Sequence, residues 1–133
     1  MEKISIEYLP YTNEIEGAKR WDEEKGEFVQ VSYNREIRHL AYFELKEGFF
    51  RGSHYHEKKE ESFYIISGKI RAKFYDIDTG EKDQQILEKG QIINIKPRCA
   101  HIFYGIEYAR VIEFSPQVYD KEDTFKGDFD YEG

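Results

Sequence analysis

The chain is 133 residues long, 39% hydrophobic and 35% charged, with a formal net charge of −7 at pH 7. That length fits one domain with a real core, and the acidic balance, with no basic cluster interleaved with aromatics, argues against nucleic-acid binding. No apolar run approaches the ~18 residues of a membrane span, and the single cysteine, Cys99, rules out an internal disulfide framework and fits a reducing compartment.

The opening MEKISIEYLP has no apolar region after its lysine, so no signal peptide is read and a cytoplasmic protein is expected. Plentiful Lys, Glu, Ile and Tyr, with few Met, Cys and Gln, lean toward a thermophilic source. Aromatic residues make up 17%, a share suited to half-buried strand faces.

Lys3 to Tyr8 alternates charged and apolar residues and predicts a first strand, ended by Pro10. Residues 11–26 are polar and broken by Gly17 and Gly26; Glu14 to Glu24 weakly predicts a short helical turn, with Trp21 packed against the domain or a partner subunit. Glu27 to Tyr33 and Ile37 to Leu45 predict two further strands, and Lys46-Glu47-Gly48 a turn. Ser62 to Ile66 predicts a short apolar strand, followed by a tight turn at Gly68 and a cleanly alternating strand from Lys69 to Ile77. Asp78-Thr79-Gly80 is a hairpin signature; Gln84 to Glu88 and Gln91 to Ile95 follow, closed by Pro97. His101 to Glu107 and Ala109 to Ser115 predict a last hairpin, and the acidic, aromatic tail from Pro116 is expected to drape over the body or fray. Many short strands with turn punctuation and little helix predict an all-β antiparallel sandwich or barrel.

Chemistry concentrates between Gly48 and Gly68, in GFFRGSHYHEKKEESFYIISG. In an extended segment His54 and His56 point to one face, because side chains alternate at period 2. Glu60 or Glu61 can return to the same point if the chain turns between them. Two imidazoles and a carboxylate converging in a fold point to a divalent transition metal, against the alternative of a solvated His-x-His beside the charged EKKEE run.

The spacing resembles the first motif of the cupins: Gly, five residues, His-x-His, three or four residues, Glu, six residues, Gly. Here these are Gly48, His54, His56, Glu61 and Gly68, and the last spacing selects Glu61 over Glu60. The second motif is matched in part. Gly90 and His101 are in place, whereas Lys96 stands for the motif's Pro, Arg98 for its Gly and Gly105 for its Asn. The resemblance covers roughly residues 37–116. It implies a single cupin domain over 1–133, an antiparallel jelly-roll barrel (double-stranded β-helix) with the N-terminal strand and acidic tail packed around it or at a dimer interface. It also implies metal ligands His54, His56, Glu61 and His101, holding Mn, Fe, Ni or Zn, and a homodimer. His39 lies outside both motifs and reads as a packed or hydrogen-bonded strand residue. Cys99, at period 2 from His101, reads as a buried small hydrophobe.

A narrower resemblance surrounds Arg51. Arg51-Gly52-x-His54-x-His56 with Ser67-Gly68 is similar to the sugar-nucleotide 3,4-ketoisomerases, and Arg51-Gly52-x-His54-Tyr55 to the dTDP-4-dehydrorhamnose 3,5-epimerases. Tyr119-Asp120-Lys121-Glu122-Asp123 resembles the ending of the same proteins. Those enzymes move protons next to a ketone with histidine and need no metal, so His54 and His56 would be catalytic on that reading. The ketoisomerases typically carry glutamine at the Glu61 position; glutamate here favours a metal, because a carboxylate is the better partner for a divalent cation. Arg51 is expected to bind a phosphate or carboxylate of an anionic small-molecule substrate. Three readings follow: a metal-binding isomerase or epimerase of a sugar or sugar nucleotide, a cupin oxygenase, and a non-catalytic sugar-binding or regulatory cupin.

Overall fold

A computed structural model describes residues 1–127 and 129. Ten strands run β1 (Ile4–Tyr8), β2 (Lys19–Glu23), β3 (Gly26–Gln30), β4 (His39–Leu45), β5 (Phe50–Tyr55), β6 (Glu61–Asp76), β7 (Lys82–Glu88), β8 (Gln91–Ile95), β9 (Cys99–Ser115) and β10 (Phe125–Lys126). The only helical element among the described residues is a 3₁₀ turn, Lys121–Asp123, and no helix there is long and apolar enough to cross a membrane.

Two long strands organise the rest. The first part of β6 and the second part of β9 pair with each other and with β8 and β4, and β8 carries β1 on its far side. The second part of β6 and the first part of β9 pair with each other and with β7 and β5, and β10 closes on β5. Each long strand therefore passes from one sheet to the other, and every pairing between these ten strands is antiparallel. This is the jelly roll of the cupins.

The crossing is made at Gly68. The expected tight turn is absent; residues 61–76 form one strand whose register shifts between Ile65 and Ile70. Gly68 has φ +87°, and a Cβ there would lie 2.1 Å from Tyr108 O and 2.5 Å from the Ala109 Cα, so only glycine lets the two backbones cross this closely. The expected final hairpin is likewise one strand, β9, bent where it meets Gly68. A break in alternation marks a bend as readily as a turn, and cross-strand packing decides between them.

The helical turn read within 14–24 is replaced by the β2–β3 hairpin. Trp21 and Phe28 are cross-strand partners whose rings stack at 4.4 Å, and that pair outweighs the weak helical pattern. The 78–80 turn forms as expected, with Gly80 N–H donating to Asp76 O at 2.8 Å.

The main core lies between the sheets and includes Phe63, Ile70, Phe74, Leu87, Ile93, Phe103 and Val111. Cys99 belongs to it, 2% exposed, and burial pushes its thiol up to about 11. A second core, around Tyr64, Ile92 and Phe114, lies on the outer face of the first sheet, covered by Ala18, Val29 and Val31 from the hairpin region. Two cores leave one end of the barrel for polar side chains.

Candidate metal centre and its cavity

His54 is delivered by a bulge. The β5–β9 register shifts between Gly52 and His54, with Gly52 at φ +97° and Ser53 at φ +74°. A Cβ on Gly52 would come within 2.9 Å of His101 O. The bulge turns His54 inward, opposite His101, and their rings stand 4.9 Å apart. His56 follows one turn of the pleat later, 5.0 Å from His54. Glu61 opens β6 on the facing wall.

His54, Glu61 and His101 each offer a ligand atom within 4.8 Å of the others. His56 falls outside that group but touches it: its Nε2 is 3.1 Å from Glu61 Oε1, is fully buried and makes no well-directed hydrogen bond. His101 Nε2 is 3.4 Å from the same oxygen. Glu60 is exposed, so Glu61 is the carboxylate that faces the cavity.

Protonation states suit cation binding. Burial pushes the Glu61 carboxyl up, but the imidazoles of His101 and His56 outweigh it and hold it down at about 2. Burial, helped by His101, lowers His54 to about 4, and burial lowers His101 as well. For His56 burial acts downward, yet Glu61 and the Asp123 carbonyl raise it overall. An ionised carboxylate beside the neutral imidazoles of His54 and His101 presents free lone pairs, the state a metal requires. The donor set, and the orphaned His56 nitrogen, fit a divalent transition metal.

The C-terminal segment, which sequence left undecided between draping and fraying, braces the site. His56 Nδ1 is 2.7 Å from Asp123 O, which fixes its tautomer with Nε2 toward Glu61. The Asp123 carboxylate accepts from the N–H groups of Glu57, Lys58 and Lys59. From the other side, Arg98 N–H donates to His56 O at 2.7 Å, and its guanidinium bridges Glu57 and Asp78. Arg98 has φ +62°, the conformation that explains glycine at this point of the motif.

The cavity above the cluster measures about 160 Å³ and is walled by Phe43, Phe63 and Phe103. Arg51 lines it too. Its Nε donates to Glu44 O at 2.9 Å and the guanidinium lies over Phe43, 5.2 Å from the ring centroid, leaving its Nη groups unpartnered among the described residues. Glu113 also lines the cavity, with His39 Nε2 3.7 Å from its carboxylate. The sequence reading passed over Glu113; its signal was a charge on the barrel-facing side of β9, in line with Val111. A larger groove of about 450 Å³ lies outside β6 and β7, lined by Lys73, Tyr75, Lys82 and others, but gathers no donor cluster among the described residues.

An antiparallel jelly roll with these side chains converging inside one end has the fold of a small cupin. Within that class, the chain belongs to the polysaccharide biosynthesis C-terminal domain family, which matches residues 21–125. It is 28% identical over 126 residues to UDP-2-acetamido-2,6-beta-L-arabino-hexul-4-ose reductase of Pseudomonas aeruginosa. That match covers 90% of this chain but 34% of the relative, so the chain spans about a third of that protein's length. Among solved structures, a TDP-quinovose 3,4-ketoisomerase of Campylobacter jejuni superposes with a TM-score of 0.77 at 16% identity, covering 96% of this chain and 95% of that one. A 3,4-ketoisomerase of Thermoanaerobacterium thermosaccharolyticum, in complex with TDP-4-keto-6-deoxyglucose, gives 0.76 at 12%, covering 94% and 88%. A dTDP-6-deoxy-D-glucose-3,5-epimerase of Legionella pneumophila gives 0.70 at 18%, covering 92% and 77%. At such identities the likeness is one of fold.

Proposed function

We propose that this cupin is a divalent-metal-assisted isomerase or epimerase of a nucleotide-linked keto sugar, serving polysaccharide biosynthesis. The observation that carries the reading is the Glu61 carboxyl group packed among His54, His56 and His101 at the base of a small cavity with Arg51 on its wall. The names of the relatives support the substrate class: the curated one is named for a 4-keto sugar nucleotide, and the solved ones isomerise or epimerise such sugars.

His54, Glu61 and His101 would hold the metal, with His56 as the fourth donor, its tautomer fixed by Asp123. When bound, the metal supplies a Lewis acid that polarises the sugar ketone. Arg51 offers its free guanidinium face to the diphosphate. Phe43, Phe63 and Phe103 keep water from the reacting carbons. A cavity of about 160 Å³ is below the ~300–1,000 Å³ of drug-sized pockets, so it takes the sugar ring and leaves the nucleotide outside.

The test is metal analysis of the purified protein beside Glu61→Gln. The expected result is about one divalent ion per chain in the wild type, lost or weakened at least ~10-fold in the variant, since a neutral amide replaces the one anionic donor. No bound metal, with keto-sugar conversion that survives a chelator and Glu61→Gln but is lost in His54→Ala, would replace this reading with metal-free histidine chemistry.

A further inference from the structure

Moving a ketone along a sugar requires a group that can carry a proton, and side chains whose lone pairs are committed to a cation cannot serve. Glu113 lines the same cavity as His54, Glu61 and His101 yet stands apart from their cluster. It is the cross-strand partner of Phe63, whose ring packs against His101 at 5.8 Å, so an aromatic ring lies beside both the carboxylate and the cluster. Its side chain is 26% exposed, open enough to meet a ligand. His39 stands behind it on the neighbouring strand β4, its Nε2 buried, without a hydrogen bond and 3.7 Å from Glu113 Oε2. An acid and an imidazole placed together on the inner side of a barrel are costly to desolvate, and apolar residues would serve stability better. The placement makes sense for chemistry.

We propose that Glu113 is the catalytic proton carrier of this site; this rests on the keto-sugar reading given above. With a ketone at one carbon and a hydroxyl at the next, the C–H bond at the hydroxyl-bearing carbon breaks and its proton passes to the Glu113 carboxylate. The electron pair left behind forms the carbon–carbon double bond of an enediol, and the carbonyl oxygen takes the matching charge or proton. Return of the proton to the former carbonyl carbon, with loss of the other hydroxyl proton, leaves the ketone shifted by one position. Atoms and electrons balance within the sugar, and no oxidant is consumed. A positioned carboxylate in this role contributes about 10²–10⁴-fold.

The experiment incubates the full chain, loaded with Mn²⁺ or Zn²⁺, in D₂O with TDP-4-keto-6-deoxyglucose and, separately, with UDP-2-acetamido-2,6-beta-L-arabino-hexul-4-ose. Deuterium entering the carbons beside the ketone is followed by NMR, and binding of each probe by calorimetry. Glu113→Gln, which keeps shape and removes the base, is expected to lower exchange by at least ~100-fold with probe affinity within about threefold of wild type. Glu113→Asp, which keeps the charge but draws it back, is expected to fall between them. Exchange in Glu113→Gln within about threefold of wild type overturns the assignment alone. No exchange by the wild type with either probe overturns both the assignment and the keto-sugar reading.

Discussion

Glu61 and His54 make the pH behaviour of the metal-free protein predictable. The folded His54 titrates at about 4 against 6.5 when unfolded, so below pH 6.5 the unfolded chain binds the proton more readily and stability falls until about pH 4. Glu61 titrates at about 2 against 4.5, so its contribution is present above pH 4.5 and is lost as pH falls through 2. His56 works in the opposite direction: its raised value stabilises below pH 6.5 and ceases to do so as pH rises through the folded value. Urea denaturation of metal-free protein between pH 7 and pH 3 is expected to show stability falling with acidity, and Glu61→Gln to flatten the part below pH 4.5. Glu61 is worth at most about 3 kcal/mol by this linkage. A profile unchanged by Glu61→Gln would contradict the ionised state assigned to that carboxylate. Arg98 yields a second prediction, because its left-handed backbone is strained and its ion pairs to Glu57 and Asp78 oppose that strain. Arg98→Gly relieves the one while losing the other, whereas Arg98→Ala loses the pairs and keeps the strain. The expected order of melting temperatures has the glycine variant above the alanine variant.

At the scale of elements, the decisive feature is where two strands cross. Gly68→Ala places a methyl group 2.1 Å from Tyr108 O in a backbone conformation that side chains avoid. It is expected to destabilise by about 3 kcal/mol or more, read as a large drop in the urea midpoint, since backbone on both sides must move. The tail is the second such element. Asp123 joins the 3₁₀ turn to the loop after His56, and outer partners of a metal-binding histidine are worth about 10–100-fold in affinity. Asp123→Ala, which frees the three N–H groups and loosens the turn, is expected to weaken metal binding by roughly 10-fold in competition with a chelating dye. Unchanged affinity would mean that the carbonyl contact alone holds His56.

Across the whole molecule, the barrel and the side chains that converge inside it were largely legible in the sequence, and the failures have a common physical cause. Strict spacing exposed Gly48, His54, His56, Glu61 and Gly68 because each is needed for a backbone or donor reason that no substitute meets. Apolar content exposed β4 and β8, the latter buried on both faces with Ile93 in the main core and Ile92 in the second, and alternation exposed β1. It misread β6 and β9 as broken pieces because a strand that changes sheets at a bulge loses its period where a turn would. It misread the β2–β3 hairpin because the Trp21–Phe28 stack is a tertiary fact that local propensity does not contain. Glu113 stayed hidden for a related reason: facing the cavity is a property of the register with Phe63 and of neither residue alone.

The central claim, a metal centre that works on a keto sugar, is tested most directly by following one sugar nucleotide under two conditions. TDP-4-keto-6-deoxyglucose, the ligand seen in a structural neighbour, is incubated with metal-loaded and with chelator-stripped protein, and the position and stereochemistry of the ketone's neighbours are followed by NMR. Migration or epimerisation by the loaded protein, reduced at least ~100-fold on stripping and restored by re-adding the ion, is the predicted result. Conversion at the same rate with and without metal would contradict it.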